Sequence, residues 1–238
     1  MVFYDQLGCG NSDRPDDLSL WTVERFVEEL HILRNPLGLD RCHILGHSWG
    51  TMLGMDYYLA HPDGILSLVQ SSPCISIQRW IEDCNNYRNQ LPVEVQAVMA
   101  EHEKAGTTGS EEYKDAEKEF NKRHVLRMDP VPEAVLHGRR ERGTVVYETM
   151  WGPNEFFMTG NLADYDRSGD LHQISIPTLY SCGRFDEAAP DTVNWYAELT
   201  PNAEFFVYEN SAHMPHWEET SRYISVVRDF LRRTDELA

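Results

Sequence analysis

Apolar residues along this chain fall into two rhythms. Short apolar runs lie at Val2-Phe3-Tyr4, Cys42–Leu45, Ile65–Val69, Thr178–Ser181 and Glu204–Tyr208, and several are closed by Gly, Pro, Asn or Asp. Such runs read as buried strands, with Asp5 through Pro15 a glycine- and proline-punctuated loop. Between the runs the spacing lengthens to that of a helix. Val23, Phe26, Val27, Leu30 and Leu33 share one helical face, and Pro36 and Gly38 stop that helix. Thr51–Leu59 predicts a second helix and Thr192–Leu199 a third. A last one runs from about Glu218 to Arg233, with Tyr223, Val226, Val227, Phe230 and Leu231 on its inner face. Alternation of strand and helix implies an α/β architecture with a mostly parallel sheet covered on both faces.

After Pro73 the pattern changes. Residues 75–169 carry helical stretches and many charges but no convincing strand. Glu111–His124 is almost wholly polar and reads as an exposed helix. The expected division is therefore a core of residues 1–73 and 170–238, with residues 74–169 inserted as a helical lid.

Composition narrows the partners. The net charge of −18 argues against nucleic acid or an anionic membrane surface. It also favours a cationic ligand, although solubility alone is the plainer reading of such acidity. No stretch approaches the roughly 20 apolar residues of a membrane span, and Met1–Asp5 lacks the features of a signal peptide. The cysteines, Cys9, Cys42, Cys74, Cys84 and Cys182, are odd in number and scattered without zinc-ligand spacing. Reduced thiols in a cytoplasmic protein that needs no metal or cofactor are the expectation. Oligomeric state is not encoded in any recognisable pattern.

The chemistry concentrates at Gly46-His47-Ser48-Trp49-Gly50, between the run Cys42–Leu45 and the helix Thr51–Leu59. Strand, G-x-S-x-G and helix form the context of a nucleophile elbow. The turn holds the serine in a strained backbone conformation, and small flanking residues let strand and helix approach. Ser48 is the expected nucleophile, and the backbone N–H of Trp49 the expected oxyanion donor. The base and its orienting carboxylate should follow in the order acid, then histidine. Asp186 stands after the run ending near Ser181, and His213 after the run ending at Tyr208. His216 is a rival for the base. His47, beside the serine along the elbow, should point elsewhere. An HGGG-type loop for a second oxyanion donor is not found.

Together these residues resemble the proline iminopeptidase family of α/β-hydrolases. Asp5-Gln6-Leu7-Gly8-Cys9-Gly10-Asn11-Ser12 is similar to that family's D-Q-x-G-x-G-x-S segment. Trp151-Gly152-Pro153-Asn154-Glu155-Phe156 is similar to its W-G-P-x-E-F element. Gly183–Pro190 and Ser211–Pro215 resemble its aspartate and histidine loops. The resemblance implies an α/β-hydrolase fold lacking the leading strands and the H-G-G-P-G loop. It also implies a serine hydrolase that releases an N-terminal residue, preferably proline, from small peptides. By position Glu155 and Glu187 would hold the substrate's α-ammonium. Trp151 and Phe156 would either wall a pocket for a pyrrolidine ring or simply pack the lid. Alternatives are an esterase or amino-acid amidase on the same triad, or a catalytically impaired, truncated homologue.

Overall fold

A computed structural model describes residues 1–236. Among them, four parallel strands form one sheet in the order β1 (Cys42–His47), β2 (Ile65–Ser71), β3 (Thr178–Gly183), β4 (Ala203–Tyr208). Val69 pairs with Leu45 on one side and with Leu179 on the other, so sequence order is also spatial order here. The helices are α1 (Val23–Arg34), α2 (Trp49–Ala60), α3 (Ile77–Arg88), α4 (Val93–Ala105), α5 (Glu111–His124), α6 (Glu133–Glu141), α7 (Thr144–Met150), α8 (Pro190–Leu199), α9 (Pro215–Glu218) and α10 (Thr220–Asp235). Local chemistry starts several of them. The Thr22 hydroxyl accepts from the Arg25 N–H to cap α1, and the Ser110 hydroxyl accepts from Tyr113 N–H to cap α5.

Alternate residues of the strands serve opposite faces. Val69, Leu179 and Tyr208 face α10, whose Tyr223, Val227 and Phe230 are buried against them. Each such buried side chain contributes roughly 1.5–3 kcal/mol. Leu68, Tyr180 and Cys182 point the other way and join the larger core with Met52 and Met55 of α2 and Val193 and Tyr196 of α8. The central strands β2 and β3 are buried on both faces, which explains their apolar runs, while the edge strands β1 and β4 are only partly buried.

One expected strand is absent. Val2-Phe3-Tyr4 is not a strand, and Phe3 is 86% exposed. A strand exists only through its partner, and the free edge of β1 is not taken by these residues. Leu45 on that edge strand is 46% exposed. The residues that follow are ordered by turn bonds, such as Gly8 N–H to the Asp13 carbonyl, and by side chains. The Asp5 carboxylate accepts from the Asn11 backbone and side chain, and the Leu7 N–H donates to Glu29.

Helices α3 to α7 all fall between β2 and β3. Where the chain leaves and rejoins the core, its two ends pair: Ser76 bridges Asp166, and Arg167 N–H donates to the Ile75 carbonyl. Arg167 Nε and Nη2 both donate to Asp56 Oδ1 and the Tyr165 hydroxyl donates to Oδ2, tying the returning end to α2. Helix α5 is less exposed than its composition suggests, because Tyr113, Ala116 and Phe120 form a buried inner face at helical spacing. No helix among the described residues is long and apolar enough to cross a membrane.

Candidate active site

The elbow forms where β1 meets α2. Ser48 has φ 52° and ψ −119°, a left-handed conformation that a non-glycine residue holds only under constraint. The constraints are visible. Ser48 N–H donates to the Ser71 carbonyl at the end of β2. Its own carbonyl accepts from both the backbone N–H and the hydroxyl of Thr51. The two glycines are not equivalent. A Cβ on Gly46 would lie 2.2 Å from the Gly50 carbonyl oxygen, whereas one on Gly50 would meet nothing within 4 Å. Ser48 remains half-buried rather than closed off. Trp49 opens α2, so its backbone N–H is among the orphan donors of the helix N-terminus. Its indole is held by the Gln6 side chain at 3.0 Å and by an edge-on contact with Phe26.

Asp186 and His213 meet. The aspartate follows β3, the histidine follows β4, and His213 Nδ1 lies 2.8 Å from Asp186 Oδ1. Asp186 is fully buried and also accepts from the N–H groups of Ala188 and Gly183. Burial opposes a charge on the His213 ring, but Asp186 outweighs it by charge and by hydrogen bond, with help from Glu155 and Glu218. The net effect raises its pKa above the ordinary histidine value. Gly183 makes the approach of the two loops possible, because any Cβ there would lie 2.2 Å from the Ala212 carbonyl oxygen.

The histidine is brought to the elbow by its backbone. The carbonyl of His213 accepts from His47 Nε2 at 2.7 Å and from the Ser72 hydroxyl at 3.1 Å. His47 therefore does not point away from the site, as its place in the elbow suggested. Its ring centroid is 4.8 Å from that of His213, and burial together with the neighbouring His213 and His216 keeps it neutral. His216 packs on His47 and Tyr223, and burial with the nearby His213 pushes its pKa down to about 4. It is thus a poor base at neutral pH.

The helical insertion closes over this pair. The carbonyl of His124, the last residue of α5, accepts from the N–H groups of both Glu187 and His213 at 3.2 Å. Trp80 of α3 packs edge-on against the His213 ring at 5.5 Å, and Trp151 packs edge-on against Trp80. Glu218 accepts from Ala212 N–H and from Arg127 N–H, so α9 pins the histidine loop and the segment after α5 together. None of these supports carries a local motif. Each acts through a backbone group, a ring face or, at Glu218, a carboxylate that only the fold brings near.

Glu155 and Glu187 converge on the same place. Residues 151–157 form a tight turn after α7. Gly152 has φ +148°, and the Asn154 carbonyl accepts from the Phe156 and Phe157 N–H groups while its amide donates to Tyr113. Trp80 Nε1 donates to the Glu155 carbonyl at 2.7 Å. Phe156 packs against Phe120 within the insertion, while Trp151 faces Trp80. Glu187 is fully buried, and neither of its carboxylate oxygens has a hydrogen-bond partner. Burial first, and then the charges of Glu155, Asp186 and Glu117, raise its pKa well above the ordinary range. A buried carboxyl without a partner is costly, and a cationic ligand would relieve the cost.

A family model described as the alpha/beta hydrolase fold matches residues 1–220. The chain is 47% identical over 232 residues to the proline iminopeptidase of Heyndrickxia coagulans, covering 97% of this chain and 81% of that protein. The structure is similar to the crystal structure of a Mycobacterium smegmatis proline iminopeptidase, with a TM-score of 0.91 and 36% identity over 98% of this chain and 80% of that one. It is also similar to the crystal structure of VinJ, with a TM-score of 0.93 and 38% identity over 97% of this chain and 80% of that one.

Proposed function

The chain belongs to the proline iminopeptidase family of α/β-hydrolases, and we propose that it is a serine aminopeptidase releasing an N-terminal residue, preferably proline, from small peptides. Ser48 Oγ attacks the carbonyl carbon of the first residue while His213 Nε2 takes the hydroxyl proton. Asp186 accepts from Nδ1–H, fixing the tautomer and stabilising the imidazolium. Trp49 N–H, at the positive end of α2, binds the oxyanion. The C–N bond then breaks and His213 gives its proton to the leaving amine. Water, deprotonated by the same imidazole, hydrolyses the acyl-enzyme and frees Ser48. Glu155 and Glu187 hold the α-ammonium, and residues 74–169 act as the lid over it. Five free thiols support placing the enzyme in the cytoplasm.

The observation carrying this reading is Glu187, a fully buried carboxyl with both oxygens unpartnered, 3.8 Å from the Nε2 that would act as base. Hydrolysis of a prolyl arylamide by the wild type and Ser48→Ala tests the nucleophile, with an expected loss of at least about 10⁴-fold. Acetylation of the substrate's α-amine should cost at least about a hundredfold in kcat/KM. Equal hydrolysis by both proteins removes Ser48 from the mechanism. Equal hydrolysis of free and acetylated substrates would turn the reading toward an esterase or general amidase.

A further inference from the structure

The Glu187–His213 contact raises a question of charge. Glu187 Oε1 is 3.8 Å from His213 Nε2, the ring nitrogen opposite the one that meets Asp186. Both Glu187 oxygens are buried without a hydrogen-bond partner. Among the described residues the charged groups acting on it are acidic, Glu155 from the turn after α7, Asp186 in its own loop and Glu117 on α5, while Arg142 lies on the ring of the neighbouring Tyr147. Cys74 after β2, Cys84 on α3 and Tyr147 on α7 are held neutral by burial. His213 in turn faces Asp186, Glu155 and Glu218, together with the neutral rings of His47 and His216.

An anionic Glu187 beside a neutral imidazole is therefore the unfavourable state of the free pair. A proton on the carboxyl removes the charge but also removes the anion that an ammonium needs. A proton on the imidazole compensates the charge but occupies the lone pair that must accept from Ser48. Each arrangement leaves one proton on the pair, and each is unready for chemistry. The productive arrangement, carboxylate with neutral imidazole, is the one a cation beside Glu187 stabilises. An opposite charge at such a distance changes proton affinity by about tenfold to a thousandfold.

Resting on the reading that Glu187 receives the substrate's α-ammonium, we propose that Glu187 and His213 share one proton in the free enzyme and that the incoming ammonium replaces it. One ammonium enters, one proton leaves to solvent, and the charge of the pocket is unchanged. The base is thereby freed only when a free N-terminus is seated. Selection for the α-amine then acts on the chemical step as well as on binding.

L-Prolinol, a cationic amine with no carbonyl to attack, is a suitable probe for the wild-type enzyme. Titration calorimetry in buffers of different ionisation heat counts the protons exchanged on binding. Near neutral pH the expected result is release of about one proton per prolinol bound. Glu187→Gln should lose that release, because an amide cannot carry the proton. Prolinol binding with no proton release overturns the proposal, as does an unchanged release in Glu187→Gln. So does a failure of prolinol to bind while free prolyl arylamide is still hydrolysed. The wild-type count decides alone if the variant does not fold. Under these results an intact preference for free over acetylated substrate leaves the aminopeptidase reading standing. Loss of that preference defeats the underlying reading instead.

Discussion

Gly183→Ala isolates the packing of the Asp186 and His213 loops from the chemistry proposed for them. Gly183 ends β3, and it carries no positive φ, so alanine brings no backbone strain of its own. The added methyl would lie 2.2 Å from the Ala212 carbonyl oxygen and 2.3 Å from that of Ser211. Ordinary contact requires that backbone to retreat by roughly 1 Å. Flexible side-chain ends are not what it meets, so the displacement passes directly to His213, one residue on. Overpacking of this kind costs about 1–3 kcal/mol of stability. A misplacement of about 1 Å at a catalytic group costs on the order of a hundredfold in rate. The assay is kcat/KM on prolyl arylamide beside thermal unfolding of the same preparation. Gly138→Ala in α6 is the control, since nothing lies within 4 Å of its added Cβ. It should gain about 0.5–1 kcal/mol and keep its activity. If Gly183→Ala retains activity within threefold of wild type, the inferred close crossing of β3 and the histidine loop is wrong.

The pKa of His213 is raised and the ring must be neutral to serve as the proposed base, so the acid limb of kcat/KM should lie above pH 6.5, as read from a pH–rate profile. His216 is shifted the other way. Its contribution to stability is present above its unfolded value of 6.5 and is lost as pH falls toward about 4, where the unfolded chain binds a proton that the folded chain refuses. Thermal melts should therefore fall through that window, less steeply in His216→Asn. Arg167→Ala leaves the buried Asp56 carboxylate with only the Tyr165 hydroxyl. Arg167 is itself 40% exposed, so urea unfolding should register a loss of about 2–3 kcal/mol, below that for a wholly buried pair.

The elbow at Ser48 and the meeting of Asp186 with His213 were legible as candidates because each sits in a short stretch whose order along the chain follows the fold. The central strands β2 and β3 were legible for a related reason, being buried on both faces and therefore apolar along their length, while the edge strands β1 and β4 keep exposed positions such as Leu45 and Glu204. Val2–Tyr4 has the same composition and is not a strand, because apolar character cannot supply a hydrogen-bonding neighbour. His47 misled for a geometric reason. Its position in the elbow says that it neighbours the serine, but not that Nε2 reaches the carbonyl of a residue in another loop. The carbonyl of His124 has no sequence signature at all, since every residue offers one. Glu155 and Glu187 were suggested by resemblance, and only the coordinates reveal that Glu187 is sealed from solvent with both oxygens bare.

The His124 carbonyl reaches the amides of residues 187 and 213 alike. The helical insertion is consequently not an interchangeable cover. Grafting a foreign one to change substrate size would unfasten both loops unless a backbone oxygen were rebuilt at that spot. Directed evolution of this scaffold should then accept changes along the outward face of α5 far more readily than any shift in where that helix stops.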